Sequence, residues 1–300
     1  MNSEKPLVSI ICHCYNHSKF VLETLKSVLN QTYDNIEVIV VDDFSTDNSA
    51  DVISSFMVKH PEIKFIQNHR NLGITKSFNR ILKKTKGKYI IDLAADDLLL
   101  PNCVMQQVHC FQNSNYQNLG IVYGNAELIS ENGNFEDYFF EVNSSKRVIK
   151  KRPTGRIYES IITSGKTFCS VSGMVKKEVF DSLNGYDEFL EYEDFDFWIR
   201  ASRNFDIDFI DTPLIQKRTV ANSLGSNFFK KTDARAKRMN HSTFLILEKA
   251  LALNQTKDED LALQKRINYE IVHTFKMNDF RLFFKNLGLL IVLYKRKLIH

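Results

Sequence analysis

Two pairs of adjacent carboxylates each follow an apolar run of this sequence. Asp42 and Asp43 end the first run, and Asp96 and Asp97 end the second. In open α/β sheets, ligand sites lie at the carboxyl ends of strands, so both pairs stand where a site is expected. A third acidic group occupies residues 191–196. Carboxylates gathered in this way could bind a cation, accept hydrogen bonds from sugar hydroxyls or take up a proton.

Strand-like and helix-like segments alternate around the acidic pairs. Short β-branched runs predict strands at residues 7–14, 35–41, 64–67 and 88–94. Apolar residues at three- and four-residue spacing predict helices at residues 20–29, 47–57, 74–84 and 101–111. This βαβαβαβ order predicts an α/β fold, with a doubly wound, mostly parallel sheet and helices on both of its faces.

The rest of the sequence divides into an irregular stretch and a helical tail. Strands are expected at residues 120–129 and 168–175, helices at 177–183 and 193–203, and a mobile polar loop at 143–153. From residue 227 onward only helices are predicted, at residues 231–253, 258–276 and 279–295. We therefore expect two domains, residues 1–222 and a C-terminal all-helical region at residues 223–300.

The composition is that of a soluble globular protein. Of the 300 residues, 43% are hydrophobic and 25% are charged, and the net charge of +4 is too small to indicate a nucleic acid partner. The five cysteines show no C-x-x-C spacing and the N-terminus shows no signal-peptide pattern, so we expect a cytoplasmic protein. The longest apolar run of the tail, residues 287–294, is much shorter than the ~20 residues needed to cross a bilayer.

Six short motifs occur in the order found in one enzyme family. They are residues 8–16 (VSIICHCYN), 27–33 (SVLNQTY), 41–47 (VDDFSTD), 71–73 (NLG), 95–97 (ADD) and 193–200 (EDFDFWIR). Over residues 7–220 the sequence therefore resembles family 2 glycosyltransferases. The resemblance implies the GT-A fold and inverting transfer of a sugar from a nucleotide diphosphate. A dinucleotide-dependent oxidoreductase with a similar βαβ start is disfavoured, because no G-x-G-x-x-G follows the first predicted strand.

The resemblance implies a nucleotide site at the ends of the predicted strands. Its residues are Cys14, Tyr15, Asp42, Asp43, Asn71, Gly73, Lys76 and Ala95. Tyr15 matches the aromatic residue that stacks on the base, a contact of about 1–3 kcal/mol, although a tyrosine of the core is the alternative. Asp43 matches the carboxylate that accepts a hydrogen bond from uracil N3, with Asp42 bracing the loop. Asp47 has the simpler interpretation of a helix cap.

The resemblance also implies a divalent cation. Asp96 matches the last aspartate of the family's DXD-type motif, which holds the Mg²⁺ or Mn²⁺ that bridges the donor diphosphate. The sequence departs from the family at Ala94, where an acid is usual, and at Val220, where many members have a histidine. Phe78 stands where many members have an arginine near the phosphates. The basic residues that could replace that arginine are Arg70, Lys76 and Arg80.

Asp194 matches the catalytic base of the family's ED motif. Such a base removes the proton of the acceptor hydroxyl while that oxygen attacks the anomeric carbon. Glu193 and Asp196 beside it would raise its basicity by like-charge repulsion, whereas an acid favoured only by the helix dipole is the alternative. The residues expected on the donor-sugar or acceptor side are Asp97, Gly173, Glu193 and Trp198. Trp198 could equally belong to the core, and His13 is expected to be a bystander.

The sequence thus predicts an inverting glycosyltransferase that uses a nucleotide-activated sugar, with UDP as the expected carrier. Family analogy assigns it a glycan or lipid-linked glycan acceptor in bacterial surface polysaccharide synthesis, such as O-antigen or capsule. A catalytically silent nucleotide-sugar-binding or scaffold protein is the alternative, favoured by the missing ligands. The C-terminal helices have an apolar face and then basic residues, which suits packing on the transferase domain, a homodimer or peripheral contact with the inner face of the membrane.

Overall fold

The computed structural model describes residues 5–164, 167–220 and 233–299. The chain divides into two compact units, and each combines several stretches of sequence. The first unit comprises Met1–Arg156, Cys169–Tyr186 and Asn204–Thr219, and the second comprises Ile157–Phe168, Asp187–Arg203 and Val220–His300. The expected domain boundary between residues 222 and 223 lies outside the described residues and stays a prediction.

The strands of the described ranges form one sheet, which lies in the first unit. They are β1 (Val8–Cys14), β2 (Ile36–Asp42), β3 (Lys64–Gln67), β4 (Tyr89–Ala94), β5 (Leu98–Leu99), β6 (Leu119–Ile129), β7 (Phe135–Tyr138), β8 (Met174–Lys176) and β9 (Asp206–Arg218). The order across the sheet is β3-β2-β1-β4-β8-β6-β9-β5, with β7 paired to β6. Strands β3, β2, β1 and β4 are parallel, as are β6 and β9, whereas β8, β5 and β7 run antiparallel to their neighbours. The predicted α/β fold is confirmed, with antiparallel pairing confined to the sheet beyond β4.

In the first unit helices alternate with strands, as predicted. In the second unit the described residues form helices and no strands. Those of the first unit are α1 (Val21–Leu29), α2 (Ser49–Met57), α3 (Ile74–Leu82), α4 (Cys103–Asn113) and α6 (Lys177–Leu183). The others are α5 (Tyr158–Thr163), α7 (Asp194–Asn204), α8 (Ala234–Leu253), α9 (Lys257–Lys276) and α10 (Phe280–Ile299). In helix α1 the apolar residues Val21, Leu25 and Val28 recur on one face and are all buried. The three- and four-residue spacing in the sequence thus marks the buried face of the helix.

Phe78 of α3 lies at the centre of an aromatic cluster in the first unit. Its side chain has no solvent exposure, and its ring centroid lies 4.4 Å from that of Tyr186 and 5.0 Å from that of Phe180. The imidazole of His13 on β1 is 5.7 Å away. Phe78 therefore packs α3 against the sheet as a core residue.

Charged side chains with matched partners hold the helices of the second unit together. Arg203 at the end of α7 donates two hydrogen bonds to the carboxylate of Glu259 and one to the backbone oxygen of Leu253. Its guanidinium also lies 4.2 Å from the ring centroid of Tyr158 on α5. Glu259 in turn forms a capping box with Thr256 at the start of α9. These contacts tie residues from three distant parts of the sequence into one helical unit.

The sheet differs from the prediction in several strands, including the short β5 and β7, which were not expected. The predicted strand at residues 168–175 is wrong, because Ser170–Ser172 form a 3₁₀ turn and only the end of that stretch joins β8. There the Oγ of Ser172 accepts a hydrogen bond from Gly124 N at 3.1 Å, so a side chain takes the place of strand pairing. Strand β9 was not expected, since its sequence mixes acidic and apolar residues and contains Pro213.

Apolar side chains remain exposed on the last helix, α10. The most exposed is Phe284, at 66%, and Phe280, Ile291 and Val292 are each more than half exposed. No helix within the described residues has both the length and the apolar character that a bilayer-spanning segment requires.

We predict that Phe78→Ala lowers the free energy of unfolding by about 3–5 kcal/mol, because it removes a fully buried ring and leaves a cavity. Urea denaturation followed by far-UV circular dichroism measures the loss. Phe135→Ala is the matched control, since that ring is 54% exposed and its removal should change stability by only about 0.5 kcal/mol. Equal losses for the two variants would contradict the central packing role of Phe78.

Candidate active site

The carboxyl ends of β1, β2 and β4 lie side by side at one edge of the sheet. Cys14 of β1 is level with Asp42 of β2, and His13 is level with Ala94 of β4. The backbone continues this pairing beyond the strands, because Asp43 N donates to Cys14 O and Ala95 N donates to His13 O, both at 2.8 Å. The residues that follow each strand are therefore brought together, as expected for parallel strands.

Asp43 is buried and fixes the loop before α3. Its Oδ1 accepts hydrogen bonds from Asn68 Nδ2 (2.7 Å), Leu72 N (2.9 Å) and Ser77 Oγ (3.2 Å), and its Oδ2 accepts one from Gly73 N (2.8 Å). Gly73 has a φ of +80°, a conformation that favours glycine. Asn71 is exposed beside it and also accepts from Gly73 N. The Oδ2 atom has a second lone pair and thus can accept one more donor.

The loops after β1 and β2 are joined by hydrogen bonds. Asp42 is fully buried and accepts from the backbone N of Ser45, whose Oγ accepts from Asn16 N at 2.9 Å. Each of the joined loops carries an exposed aromatic side chain. Tyr15 in the first loop is 44% exposed, and Phe44 in the second is 47% exposed. Phe44 was not singled out from the sequence; an aromatic residue directly after an acidic strand end is the signal that could have found it.

Asp47 joins the same two loops. Its carboxylate accepts hydrogen bonds from Ser18 N, Ser49 N and Ser49 Oγ, so it links the β1–α1 loop to the first turn of α2. Desolvation by burial acts to raise the pKa of Asp47, but these hydrogen bonds outweigh it and lower the pKa to about 2. The N-cap position of α2 is Asn48, which makes no side-chain cap hydrogen bond, so Asp47 lies one residue before the cap and binds the first N–H of the helix.

Asp97 and Arg218 fix the turn after β4. Asp97 is buried, and its Oδ1 accepts from Arg218 N at 2.8 Å. Burial, then the neighbouring charge of Asp96, raises the pKa of Asp97 to about 8. The Arg218 guanidinium donates to Asp96 O at 3.0 Å and pairs with Glu23 at 2.7 Å. Asp97 is therefore engaged inside the first unit, beside the carboxylate that the family assigns to the metal.

His17 approaches Asp96 from the β1–α1 loop. Its Nε2 lies 3.9 Å from Asp96 Oδ2, and the two side chains are 26% and 16% exposed. No group of three or more His, Cys, Asp or Glu residues in the described ranges could hold a metal ion. Sequence reasoning missed His17, although its position two residues after Tyr15 places it at the same strand edge.

His13 is a core residue that contacts Asp92. The His13 Nε2 and Asp92 Oδ1 atoms are 3.3 Å apart, but they are not aligned for a hydrogen bond, and Tyr186 donates to the other oxygen of Asp92 at 3.0 Å. Burial lowers the pKa of His13 and raises that of Asp92, so both groups tend toward their neutral forms.

Asp194 lies at the start of α7 in the second unit, where its Oδ1 accepts from Phe195 N at 2.7 Å. The charge of Asp196 is balanced, since it accepts from Arg200 at 2.6 Å and from Lys249 at 2.8 Å. The two cations therefore offset the like-charge repulsion that was expected from Asp196.

The other predicted site residues are distributed between surface and core. Trp198 is buried, and its ring centroid lies 4.3 Å from that of Phe168. This contact agrees with the alternative interpretation of Trp198 as a core residue. Gly173 is buried directly after the 3₁₀ turn. Lys76 is exposed on α3, and Ala95 is fully buried.

The fold is an α/β sheet whose parallel strand ends gather the residues that the sequence motifs named. The chain matches the model of the family described as "Glycosyl transferase family 2" over residues 9–182, and it belongs to that family. It is a glycosyltransferase, as the sequence motifs predicted.

Relatives and solved structures agree with this assignment. An uncharacterized glycosyltransferase of Methanocaldococcus jannaschii is 30% identical over 218 residues, which are 72% of this chain and 71% of that protein. The chain spans between 41% and 71% of the length of the first three curated relatives that it matches.

The structure is also similar to two solved glycosyltransferases. S. aureus TarS in complex with UDP-GlcNAc has a TM-score of 0.65 at 18% identity, over 90% of this chain and 72% of that one. The mannosyltransferase PcManGT of Pyrobaculum calidifontis, in complex with GDP-Man and Mn²⁺, has a TM-score of 0.64 at 14% identity, over 98% of this chain and 76% of that one. At these identities the likeness confirms the GT-A fold.

We predict that Asp43→Asn destabilises the protein by roughly 2 kcal/mol, because an amide nitrogen would face the N–H donors that now share the carboxylate. Thermal denaturation monitored by circular dichroism measures the effect. Asp51→Asn, an exposed position on α2, should leave the melting temperature unchanged. A melting temperature for Asp43→Asn equal to that of the wild type would show that the carboxylate does not fix the loop.

Proposed function

We propose that this glycosyltransferase moves a sugar, with inversion, from a UDP-sugar donor to a glycan or lipid-linked glycan acceptor. The observation that carries the proposal is the gathering of Tyr15, Asp43 and Asp96 directly after three neighbouring parallel strands. These residues offer an aromatic face, a hydrogen-bond acceptor and a hard oxygen ligand, which are the three groups that a nucleotide diphosphate requires.

The nucleoside binds at the two joined loops. Tyr15 and Phe44 supply exposed aromatic faces for the base, and stacking of this kind contributes about 1–3 kcal/mol per base. Asp43 supports recognition of uracil, since its Oδ2 accepts only Gly73 N and retains capacity for the N3–H group of the base. The four hydrogen bonds to Asp43 hold this acceptor in place before the donor arrives.

Asp96 would hold a divalent cation, Mg²⁺ or Mn²⁺, together with the donor diphosphate. The bound cation would neutralise the negative charge that develops on the departing nucleotide diphosphate. Arg218 positions Asp96 by donating a hydrogen bond from its guanidinium to the Asp96 backbone oxygen at 3.0 Å. The charge of Arg218 does not oppose the cation strongly, because Glu23 pairs with it.

Asp194 acts as the general base. It accepts the proton of the acceptor hydroxyl while that oxygen forms the bond to the anomeric carbon, and the nucleotide diphosphate leaves from the opposite face. The assignment is supported by the order of the family motifs, in which Asp194 follows Glu193 at the start of a helix.

The acceptor and the cellular role follow from the family. We propose a glycan or lipid-linked glycan of a bacterial surface polysaccharide, reached by a cytoplasmic enzyme that can contact the inner face of the membrane. The exposed apolar side chains of α10, with Arg281 and Lys285 among them, support contact with a lipid-linked substrate.

A catalytically silent nucleotide-sugar-binding protein is the second candidate. It is favoured by Ala94, which lacks the carboxylate that relatives usually have, and by the small number of metal-ligating groups near Asp96 within the described ranges. The two candidates differ in turnover rather than in donor binding.

We predict that UDP-sugars with Mn²⁺ raise the melting temperature, because a ligand at 100 times its Kd stabilises the native state by about 2.7 kcal/mol. A thermal-shift panel of UDP-, GDP- and dTDP-sugars, with and without Mn²⁺, measures this. Tyr15→Ala should weaken UDP binding about tenfold or more, whereas Tyr269→Ala, an exposed tyrosine on α9, should not. Stabilisation by NAD in place of any nucleotide sugar would contradict the proposal.

We predict that Asp194→Asn reduces sugar transfer at least about 100-fold while donor binding is kept, because only the proton acceptor is lost. Radiolabelled sugar transfer and UDP titration calorimetry give the two measurements. Asp258→Asn, an exposed acid in the first turn of α9, is the control and should retain activity. If wild type and Asp194→Asn both bind donor but neither transfers nor hydrolyses it, the silent binding protein is the correct assignment.

A further inference from the structure

His17 is held firmly at the strand edge although it lies in a loop. Its backbone N donates to Ser49 Oγ at 3.0 Å, and its backbone oxygen accepts from Phe20 N and Val21 N, both at 2.9 Å. Its ring makes an edge contact with Phe20, with the centroids 6.2 Å apart. The imidazole is therefore positioned by the start of α1.

His17 and Asp96 are close enough for one cation to bind both side chains after a small shift. The His17 Nε2 and Asp96 Oδ2 atoms are 3.9 Å apart, which is too far for a hydrogen bond. Two adjacent ligands of an octahedral cation, each at about 2.1 Å, lie about 3.0 Å apart, so the two atoms would approach each other by roughly 0.9 Å when the ion binds. Side-chain rotation can supply this movement, because both side chains are partly open to solvent.

We propose that His17 is the second protein ligand of the divalent cation that Asp96 holds with the donor diphosphate. This inference rests on the proposed function, since it requires a metal-dependent transferase. It accounts for the departures at Ala94 and Val220, because an imidazole from the β1–α1 loop supplies the ligand that those positions lack. Two protein ligands, phosphate oxygens and water complete the coordination, as is common for cations that bind with substrate phosphates.

An imidazole ligand changes which metal the site prefers. Imidazole suits transition metals, whereas an all-oxygen site suits Mg²⁺, so His17 should favour Mn²⁺. The Nδ1 atom of His17 is buried and has no hydrogen-bond partner among the described residues. Because no acceptor orients the ring through that nitrogen, the ligand is less firmly fixed than a metal histidine with a partner, and we expect a moderate contribution to affinity.

The test measures Mn²⁺ binding to the full chain in the presence of UDP. Electron paramagnetic resonance of free Mn²⁺ gives the affinity for the wild type, His17→Ala, Asp96→Asn and His109→Ala. His109→Ala is the matched control, since that histidine is exposed on α4. We expect no measurable binding for Asp96→Asn, about tenfold weaker binding for His17→Ala and no change for the control. Competition with Mg²⁺ should show less than about a twofold change in Mg²⁺ affinity for His17→Ala.

A spectroscopic signature separates direct ligation from an indirect effect. Electron spin echo envelope modulation should detect imidazole ¹⁴N coupled to Mn²⁺ in the wild type and the control, and no such coupling in His17→Ala. Melting temperatures and UDP affinity without metal verify that each variant is folded and binds nucleotide.

Three results would overturn the inference, and they differ in what else they affect. Unchanged Mn²⁺ affinity and persistent ¹⁴N coupling in His17→Ala would exclude His17 as a ligand while leaving the proposed function intact. Weaker UDP binding by His17→Ala in the absence of metal would show that His17 contacts the nucleotide directly. Absence of Mn²⁺ binding in the wild type, with UDP still bound, would refute the metal dependence of the proposed function and the role of His17 with it.

Discussion

The parallel pairing of β1 with both β2 and β4 is the interaction on which the candidate site depends. It brings the ends of three strands to one level, and the chain extends the pairing by one residue on each side, from Asp43 to Cys14 and from Ala95 to His13. Residues as far apart in sequence as His13 and Ala95 thus become neighbours through backbone hydrogen bonds. Backbone hydrogen bonds therefore fix the spacing of the residues that follow β1, β2 and β4.

Hydrogen bonds to carboxylates then fix the loops that leave this edge. Asp43 accepts donors from the segment before α3, Asp42 and the exposed Asp47 connect the loops after β1 and β2, and Asp97 accepts the backbone of Arg218. Burying a charge without partners costs several kcal/mol, so Asp42 and Asp43 require their donors in place. Asp96 differs from these acids in that its carboxylate faces His17 and is partly accessible. Four carboxylates thus hold the loops, and that of Asp96 is the one proposed to bind a ligand.

The sequence predicted the regular half of the sheet well and the remainder less well. Strands such as β1 and β2 are buried on both faces, so their apolar runs are continuous and easy to recognise. Strand β9 is only partly buried and pairs with β6 through several bulges, which removes the periodicity. The site residues were predicted where a motif named them, and their roles stay predictions. Phe44 and His17 were missed because their roles depend on how neighbouring loops are joined, and that information is absent from the spacing along the chain.

The second unit has a consequence for how the enzyme can be divided. Helix α7, which begins with Asp194, is anchored by Lys249 of α8 through Asp196 and by Glu259 of α9 through Arg203. Removing α8 and α9 would therefore take away the counterion of Arg203 and one of the two cations that pair with Asp196, on the helix that begins with the proposed base. The C-terminal helices thus act as scaffolding for α7, and a shortened enzyme that ends just after α7 would be expected to misassemble around Asp194.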